Sequence, residues 1–411
     1  MSPLCAVVDA YSTGRFLAPA LRRHGVGTIH VQSTPDVPAH LRNVADIAGF
    51  SESIAFRDDV RPLAARLGLR GVTHIVAGTE TGVSLADSLS AVLGTPGHGV
   101  SCPAARRDKS LMAERLRRSG LDAPDGWATH LENEALAWLG GHGQWPVVLK
   151  PVDSAGGDNV QVCADRSAVL NAFRRIMAAR NIVGQRNRRV LLQEFLTGEE
   201  LFVNTVSWAG CHHVAEVWKY TKRRTPDGTV IYDYEEPLPH DDRRVARVAG
   251  YVAGVLDALE IHNGAAHTEV ILTSRGPVLV DSGARLAGSV LPQVVSRCFG
   301  TSQVELLATA IAAPERFISL AGRPYCLGGH LRYVSLICPR DCLLGELQGL
   351  EQVRRLPTFA GMTIMARPGD RLHRTRDSAT SPGQVYLFGG PDDVARDYRR
   401  LRELEGSLYD A

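Results

Sequence analysis

The sequence predicts an α/β region followed by an α+β region in one chain. Through the first hundred residues, apolar strand segments alternate with amphipathic helices, which is typical of βαβ units and a parallel sheet. Farther along, consecutive segments with apolar residues at every second position indicate antiparallel strands. Between Arg243 and Ile261 apolar residues recur at helical spacing, so we expect a helix that packs over this antiparallel sheet.

The composition is that of a globular protein with a small-molecule partner. The chain has 411 residues, of which 44% are apolar, enough for two or three packed domains. Its formal net charge of +2 does not indicate a basic surface that would bind nucleic acid. The sequence pattern predicts neither a membrane span nor a signal peptide. Its eight scattered cysteines favour reduced thiols and a cytoplasmic location, and a homo-oligomer stays open.

The N-terminal region alternates strands and helices in a fixed order. Strands are predicted at "LCAVVDA", "GTIHVQS" and "THIVAGTE", and helices at about 16–24 and in "GVSLADSLSAVLG". The turn "DAYSTGR" lacks the G-x-G-x-x-G spacing, so a dinucleotide site is not expected. A further helix runs from Asp108, its N-cap, to Gly120. Lys109 lies in its first turn, where cations are disfavoured, so it is either an ordinary solvated lysine or a functional residue.

The segment "WPVVLKPVDSAGGDNVQVC" predicts a β-hairpin with a flexible tip. Lys150 ends its buried first strand, and small residues occupy the tip from Ser154 to Asn159. Backbone N–H groups in such a tip approach anionic oxygens closely, and the lysine beneath them adds a positive charge. The alternative is a plain hairpin with a mobile turn.

The segment "AAHTEVILTSRGPVLVDSG" predicts a second hairpin that carries two carboxylates. A three-residue loop, "SRG", sets Thr273 opposite Pro277, and counting outward sets Glu269 directly opposite Asp281. Like charges in that position are destabilising, so the pair needs a shared proton, an arginine or a divalent cation such as Mg²⁺. Two alternatives stay open: Arg285 neutralises the pair, or a one-residue register slip puts the two acids on opposite faces.

In this order, the segments resemble the ATP-grasp superfamily, most closely its L-amino acid ligase branch, which joins two amino acids into a dipeptide. The resemblance covers nearly the whole chain. It implies an ATP-grasp fold with an N-terminal Rossmann-like domain (1–105), a small central lobe with a flap (106–195) and a larger C-terminal lobe with a terminal subdomain (196–411). ATP is expected between the lobes, together with Mg²⁺, for which Mn²⁺ is an alternative.

Five motifs carry this resemblance. "RRDKSLMAERLRRSGLDAP" and "VLKPVDSAGGDNV" resemble the segments with the two ATP lysines, "LLQEFLTGEE" resembles the hinge around adenine and ribose, and "HTEV" and "VDSGAR" resemble the magnesium strands. The implied metal ligands are Glu269 and Asp281. The implied ATP-binding residues are Lys109, Lys150, Ser154, Ala155, Gly156, Gly157, Glu194, Phe195, Leu196 and Glu200.

Two features of "VDSGAR" bear on the assignment. Many ATP-grasp enzymes have Glu-x-Asn-x-Arg where this chain has Asp281 to Arg285 with Gly283 in the middle, so the pattern leaves the second metal ligand open. The sequence Gly-Ala-Arg at this point is common in dipeptide ligases and favours that branch.

The resemblance implies a carboxylate-amine ligase that works through an acyl phosphate and releases ADP and phosphate. Lys150 and Arg285 are the implied catalytic residues, with Arg285 on the tetrahedral oxyanion. The implied substrate contacts are His267, Arg285, Gly288 and Ser289. Two alternatives stay open: a ligase of a specialised pathway that joins an amino acid to a non-proteinogenic acid or peptide, and a non-catalytic ATP-binding module.

Overall fold

A computed structural model describes residues 3–42, 45–225, 230–345, 349–378, 380–406 and 408–409. Within these ranges the strands form two four-stranded sheets, one eight-stranded sheet and a two-stranded ribbon. The predicted combination of an α/β region with an α+β region is therefore confirmed. Among the described helices, none has both the length and the apolar character that crossing a bilayer requires.

The N-terminal unit is a parallel sheet with helices on it, as predicted. Its strands, in spatial order β3-β2-β1-β4, are β1 (Leu4–Val8), β2 (Gly27–Gln32), β3 (Ser53–Ala55) and β4 (His74–Ala77). Its helices are α1 (Leu17–Arg23), α2 (Ala39–Arg42), α3 (Val60–Leu69) and α4 (Val83–Leu93). Since β1 and β4 are parallel neighbours, the loops that follow them lie side by side at one edge of the sheet, where α/β proteins bind ligands.

The second unit is a small antiparallel sheet covered by helices. Its strands, in order β5-β8-β6-β7, are β5 (Gly126–Thr129), β6 (Val147–Pro151), β7 (Gln161–Cys163) and β8 (Val190–Glu194). Its helices are α5 (Lys109–Arg118), α6 (Glu132–His142) and α7 (Arg166–Ala178). Asp108 caps α5 as predicted, because its carboxylate accepts from the N–H groups of Ser110 and Leu111.

The third unit is built on the eight-stranded antiparallel sheet, in order β13-β12-β9-β10-β11-β14-β18-β16. The strands are β9 (Glu199–Trp208), β10 (Cys211–Arg224), β11 (Val230–Pro237), β12 (Gly264–Thr273), β13 (Gly276–Gly283), β14 (His330–Ser335), β15 (Cys342–Leu343), β16 (Phe359–Ile364), β17 (Arg371–Leu372) and β18 (Gly383–Gly389), with β15 and β17 forming the separate ribbon. The helices are α8 (Arg243–Ala258), α9 (Pro292–Phe299), α10 (Gln303–Ala312), α11 (Pro314–Leu320), α12 (Leu350–Arg354) and α13 (Pro391–Glu405).

One apolar core joins parts of all three units. Helix α8 buries the stripe that its sequence predicts, including Val248 and Val252. These residues belong to the same cluster as Val8 of β1, Leu116 of α5 and Leu201 of β9. The core therefore holds α5 and the strands β1 and β4 against the large sheet.

Candidate active site

The turn of the β12–β13 hairpin differs from the prediction. The loop has two residues, Ser274 and Arg275, and Thr273 pairs with Gly276. The predicted three-residue loop with Thr273 opposite Pro277 is therefore wrong. Gly276 has φ +123°, a conformation that other residues rarely adopt. This glycine lets the strand leave the two-residue turn and pair at once.

A β-bulge restores the predicted pairing of the two carboxylates. Val270 pairs with Leu279, but the next pair is Glu269 with Asp281, so Val280 is an extra residue on β13. The bulge shifts the register by one position and compensates for the shorter turn. The opposition of Glu269 and Asp281 is confirmed, and the alternative of a one-residue slip does not hold.

Lys150 lies against this bulge. It ends β6, it is 5% exposed, and its Nζ donates to the carbonyl oxygen of Val280 at 3.4 Å. Burial and the neighbouring Lys109 lower the pKa of Lys150 to about 8, although Asp281 and Glu269 act in the opposite direction. The structure thus brings a buried lysine beside the carboxylate hairpin, as the order of the motifs predicts.

Lys109 pairs directly with one of the two carboxylates. Its Nζ lies 2.9 Å from Asp281 and donates to the carbonyl oxygen of Ser154 at 2.5 Å. Its own N–H donates to the carbonyl of Val152. The first turn of α5 therefore contacts both the β12–β13 hairpin and the β6–β7 loop. Lys109 is largely buried and is not the ordinary solvated lysine that spacing alone allows.

The β6–β7 loop, which we call the flap (residues 152–160), has the predicted small residues at its tip. Gly156, Gly157 and Asn159 all have positive φ angles between +54° and +76°. The carbonyl oxygen of Gly156 accepts from the N–H and the Oγ of Ser378, the latter at 2.6 Å. The side chain of Ser154 is buried and donates to Asp158. The flap, including Ala155, thus closes onto a segment of the C-terminal region.

The predicted hinge, Glu194 to Leu196, connects β8 of the small sheet to β9 of the large sheet. The carboxylate of Glu194 accepts from Arg275 at 2.5 Å and from the N–H of Asp125 at 2.8 Å. Glu200 is paired with Lys222 at 2.6 Å. Phe195 is 42% exposed at this junction. Both Glu194 and Glu200, which the resemblance implies for ATP binding, therefore have partners within the protein.

Arg285 does not contact the carboxylate pair, because its partner is Glu80 from the loop after β4. Its Nε donates to Glu80 Oε2 at 2.7 Å, and its Nη1 donates to the carbonyl of Leu286 at 3.0 Å. The cation beside Asp281 is Lys109. The structure therefore contradicts the alternative in which Arg285 neutralises the pair of Glu269 and Asp281.

Glu80 links Arg285 to the flap. It also forms an ion pair with Arg107, whose other nitrogen pairs with Asp153 at the base of the flap. Burial alone would raise the pKa of Glu80, but Arg107, Arg285 and Lys109 together lower it to about 2. Sequence reasoning missed Glu80 and Arg107. A signal existed for Glu80, which stands just after the carboxyl end of a parallel strand, where ligand-facing residues collect.

Glu80 also explains the glycine where many ATP-grasp enzymes have asparagine. A Cβ at Gly283 would lie 2.9 Å from Glu80 Oε2 and 3.1 Å from Arg285 Nε. Any side chain at this position would therefore push against the ion pair. The ion pair of Glu80 with Arg285 therefore accounts for the glycine at position 283.

A cavity of about 250 Å³ lies between the N-terminal unit, the flap and the large sheet. Its lining includes all four predicted substrate residues, which are His267, Arg285, Gly288 and Ser289. The loop after β1 supports this wall, since Ser12 Oγ accepts from the N–H of Ser289 at 2.8 Å. Glu269 lines the same cavity and thereby connects it to the carboxylate pair.

His267 and Glu269 share the cavity face of β12. His267 Nδ1 shares a hydrogen bond of 2.8 Å with Asn204, and its Nε2 lies 3.5 Å from Glu269. Tyr220 donates to Glu269 at 3.1 Å. Burial alone would raise the pKa of Glu269, but its contact with His267, together with Lys222 and Tyr220, lowers it to about 2. Glu269 is therefore an ionised carboxylate and can bind a cation.

The donor set fits a magnesium ion that takes part of its coordination from phosphate and water. Glu269 and Asp281 supply oxygen ligands from directly paired positions. In the described part of the chain, no group of three or more His, Cys, Asp or Glu side chains has metal-binding geometry. Mg²⁺ commonly uses one or two carboxylates and keeps water and substrate phosphates as its other ligands, so two carboxylates suffice.

Comparison with known proteins identifies related ligases. The family model described as an ATP-grasp domain matches residues 143–293. Dapdiamide A synthase from Enterobacter agglomerans is 34% identical over 98% of this chain and 96% of the relative. Alanine–anticapsin ligase from Bacillus subtilis (strain 168) is 25% identical over 52% of this chain and 48% of that protein.

Solved structures have the same fold over nearly the full length. The L-amino acid ligase from Bacillus licheniformis aligns with a TM-score of 0.76 at 17% identity, covering 98% of this chain and 97% of that one. The N5-carboxyaminoimidazole synthase from Aspergillus clavatus, solved with ADP and 5-aminoimidazole ribonucleotide, aligns with a TM-score of 0.72 at 13% identity, covering 99% of each chain.

Proposed function

Since the chain belongs to the ATP-grasp superfamily and is an ATP-dependent ligase that forms C–N bonds, we propose that it joins the carboxyl group of one amino acid to the amino group of another. The observation that carries this proposal is the convergence of Lys109, Lys150 and the Glu269 and Asp281 pair beside a cavity that Glu269 and Arg285 line.

The first step is the attack of a substrate carboxylate oxygen on the γ-phosphorus of ATP, with ADP as leaving group. Phosphoryl transfer depends mainly on positioning and charge neutralisation. Lys109, Lys150 and the flap N–H groups bind the phosphates in this proposal. Glu269 and Asp281 would hold Mg²⁺, and the bound ion would supply positive charge to neutralise phosphate oxygens. The hinge from Glu194 to Leu196 takes the adenine in this proposal, and Glu194 or Glu200 lies toward the ribose.

The second step is the attack of the amine nitrogen on the carbonyl carbon of the acyl phosphate. The carbon becomes tetrahedral, phosphate leaves, and an amide bond forms. Arg285 donates to the oxyanion from a planar guanidinium. Glu80 is a positioning residue, because it holds Arg285 Nε and leaves the remaining donors of the fork for the reacting group. Gly288 and Ser289 bound the space for a substrate side chain, and His267 contacts the substrate.

The substrate pair has a second candidate. Dapdiamide A synthase and alanine–anticapsin ligase are both named after specialised compounds, which favours a ligase that accepts an amino acid together with a non-proteinogenic acid or peptide. Family membership and the retained Arg285 argue against a non-catalytic ATP-binding module.

The test is a phosphate-release assay across pairs of amino acids and non-proteinogenic acids, with the products identified by mass spectrometry. We expect one phosphate and one ADP for each amide formed. ATP binding without phosphate release for every pair would instead support a non-catalytic module. Phosphate release without an amide product would refute the ligase reaction.

A further inference from the structure

Glu235 is an acidic residue of the cavity whose carboxylate has no partner among the described residues. It lies on β11 and lines the cavity. Within the described ranges, no N–H or O–H group donates to its carboxylate and no cation pairs with it. The charges that act on it are those of Glu269 and Glu200, which are of the same sign.

Other acids on these strands are satisfied by protein groups. The carboxylate of Glu216 accepts from Asn204 at 3.0 Å and from Trp218 at 2.8 Å. Glu236, which follows Glu235 and points to the other face of the sheet, accepts from His330 and Arg332 through its Oε1. Buried carboxylates without a partner are costly and therefore rare in native proteins. Glu235 itself is partly buried beside the cavity, so a partner that is not among the described residues would enter from there.

The surroundings of Glu235 suit an organic cation. Tyr220 on β10 and Tyr333 on β14 are its direct cross-strand neighbours, and both line the cavity. Directly paired side chains stand roughly 5 Å apart, so Glu235 has an aromatic residue as its direct neighbour on each side. A carboxylate flanked by aromatic rings attracts an ammonium group by charge and by cation–π interaction. Burial, together with Glu269 and Glu200, raises the pKa of Glu235 well above its usual value, and a bound cation would reverse this effect.

The metal ion of the carboxylate hairpin is not this cation. Glu235 on β11 is separated from Glu269 on β12 by β10 and β9, which sets their backbones roughly 14 Å apart at about 4.8 Å per strand. Side chains stand roughly perpendicular to a sheet, and Mg²⁺ binds oxygens at about 2.1 Å. One ion therefore does not bridge the two carboxylates.

We propose that Glu235 binds the α-ammonium group of the amino acid whose carboxylate is activated. This inference rests on the proposed function. The attacking amine of the acceptor must lose a proton before it reacts, whereas the ammonium of the donor stays cationic in both steps. Glu235 has aromatic neighbours and lies away from the β12–β13 hairpin. Its carboxylate therefore suits the ammonium group of the donor, which stays positively charged in both steps.

The test compares each amino acid with the 2-hydroxy acid of the same side chain. Binding of L-alanine and L-valine, and of L-lactate and L-2-hydroxyisovalerate, is measured by calorimetry in the presence of ADP and Mg²⁺. We expect the wild-type protein to prefer the amino acid. Glu235→Gln should weaken binding of the amino acid by about 10- to 100-fold and leave the hydroxy acid nearly unchanged.

Glu236→Gln is the matched control, because it removes the same charge while its remaining oxygen still accepts from Arg332 and His330. It should bind both ligands as the wild-type protein does. The inference is overturned if the wild-type protein shows no preference for the amino acid, or if Glu235→Gln keeps that preference. This experiment distinguishes failure of the inference from failure of the proposed function. If amino-acid binding depends on Glu235 but no phosphate is released, the ligase reaction is refuted and the ammonium subsite is retained.

Discussion

The two hairpins at the site differ in how firmly they are held. Strand β12 pairs with β13 from His267 to Thr273 and with β9 on its other side. Strands β6 and β7, by contrast, pair only at Val147, Val148 and Leu149 before the flap begins. The first hairpin carries the carboxylate pair inside a continuous sheet. The second covers the site with a loop that has several positive φ angles.

This difference separates two tasks. Groups that act on the reacting atoms need a fixed geometry, which a strand inside a large sheet provides. A cover for a nucleotide must open and close, which a loop with few backbone hydrogen bonds allows. Glu80 connects the two, since it pairs with Arg285 beside the rigid hairpin and with Arg107, which reaches the base of the flap. Substitutions in each part should therefore affect different measured quantities.

The largest effect is expected for Arg285→Ala, next to the rigid hairpin. Loss of a donor to the oxyanion should lower kcat by roughly 100- to 1000-fold, while ATP binding measured by calorimetry stays close to that of the wild-type protein. Arg285→Lys keeps the charge but loses the planar fork, so we expect only partial recovery. An equal loss of ATP binding and turnover in Arg285→Ala would indicate a structural arginine.

Lys150→Ala should have the next largest effect, and it should appear in binding. Removal of a buried ammonium beside the phosphate site should raise the Kd for ATP by roughly 10- to 100-fold. Lys219→Ala is a suitable control, because Lys219 lies on β10 and pairs with the partly exposed Glu199. Unchanged nucleotide binding in Lys150→Ala would remove this lysine from the site.

Glu80→Gln tests the connection between the two hairpins. Without the carboxylate, Arg285 loses the partner that orients it, and misplacement of a catalytic group costs roughly tenfold or more in kcat. We expect the Kd for ATP to change much less than kcat, and Glu80→Asp to recover part of the rate. A loss of thermal stability with a normal kcat would mean that Glu80 serves folding alone.

The smallest effect concerns the contact between the flap and the C-terminal region. Gly156 and Gly157 both have positive φ, so alanine is strained at either position. Only at Gly156 would a Cβ meet Ser378 Oγ, at 2.2 Å, whereas at Gly157 the nearest atom is 3.9 Å away. We therefore expect Gly156→Ala to raise the KM for ATP more than Gly157→Ala does. Equal values for the two variants would show that the contact with Ser378 is irrelevant to closure.

The hairpin of Glu269 and Asp281 shows what a local sequence pattern predicts correctly and what it misses. Alternating apolar residues identified both strands, and the paired carboxylates were predicted correctly from a turn that was wrong. The two-residue turn and the bulge at Val280 shift the register in opposite directions. Bulges depend on how a strand fits its neighbours in the sheet, so the sequence of the hairpin alone does not reveal them. The bulge also explains the contact of Lys150 with the carbonyl of Val280.

Local periodicity, read from the sequence by itself, determined the strands of the two hairpins, the helix between Arg243 and Ile261 and the pairing of the two carboxylates, and the resemblance supplied the candidate ATP residues. Only the tertiary structure decided the partner of Arg285, because Glu80 lies 205 residues earlier in the chain. It likewise decided why position 283 is a glycine, the flap contact with Ser378, and the lack of a partner for the Glu235 carboxylate among the residues that the structure describes. The physical reason is that strand and helix patterns come from neighbours along the chain, whereas these contacts arise where separate units pack around one cavity.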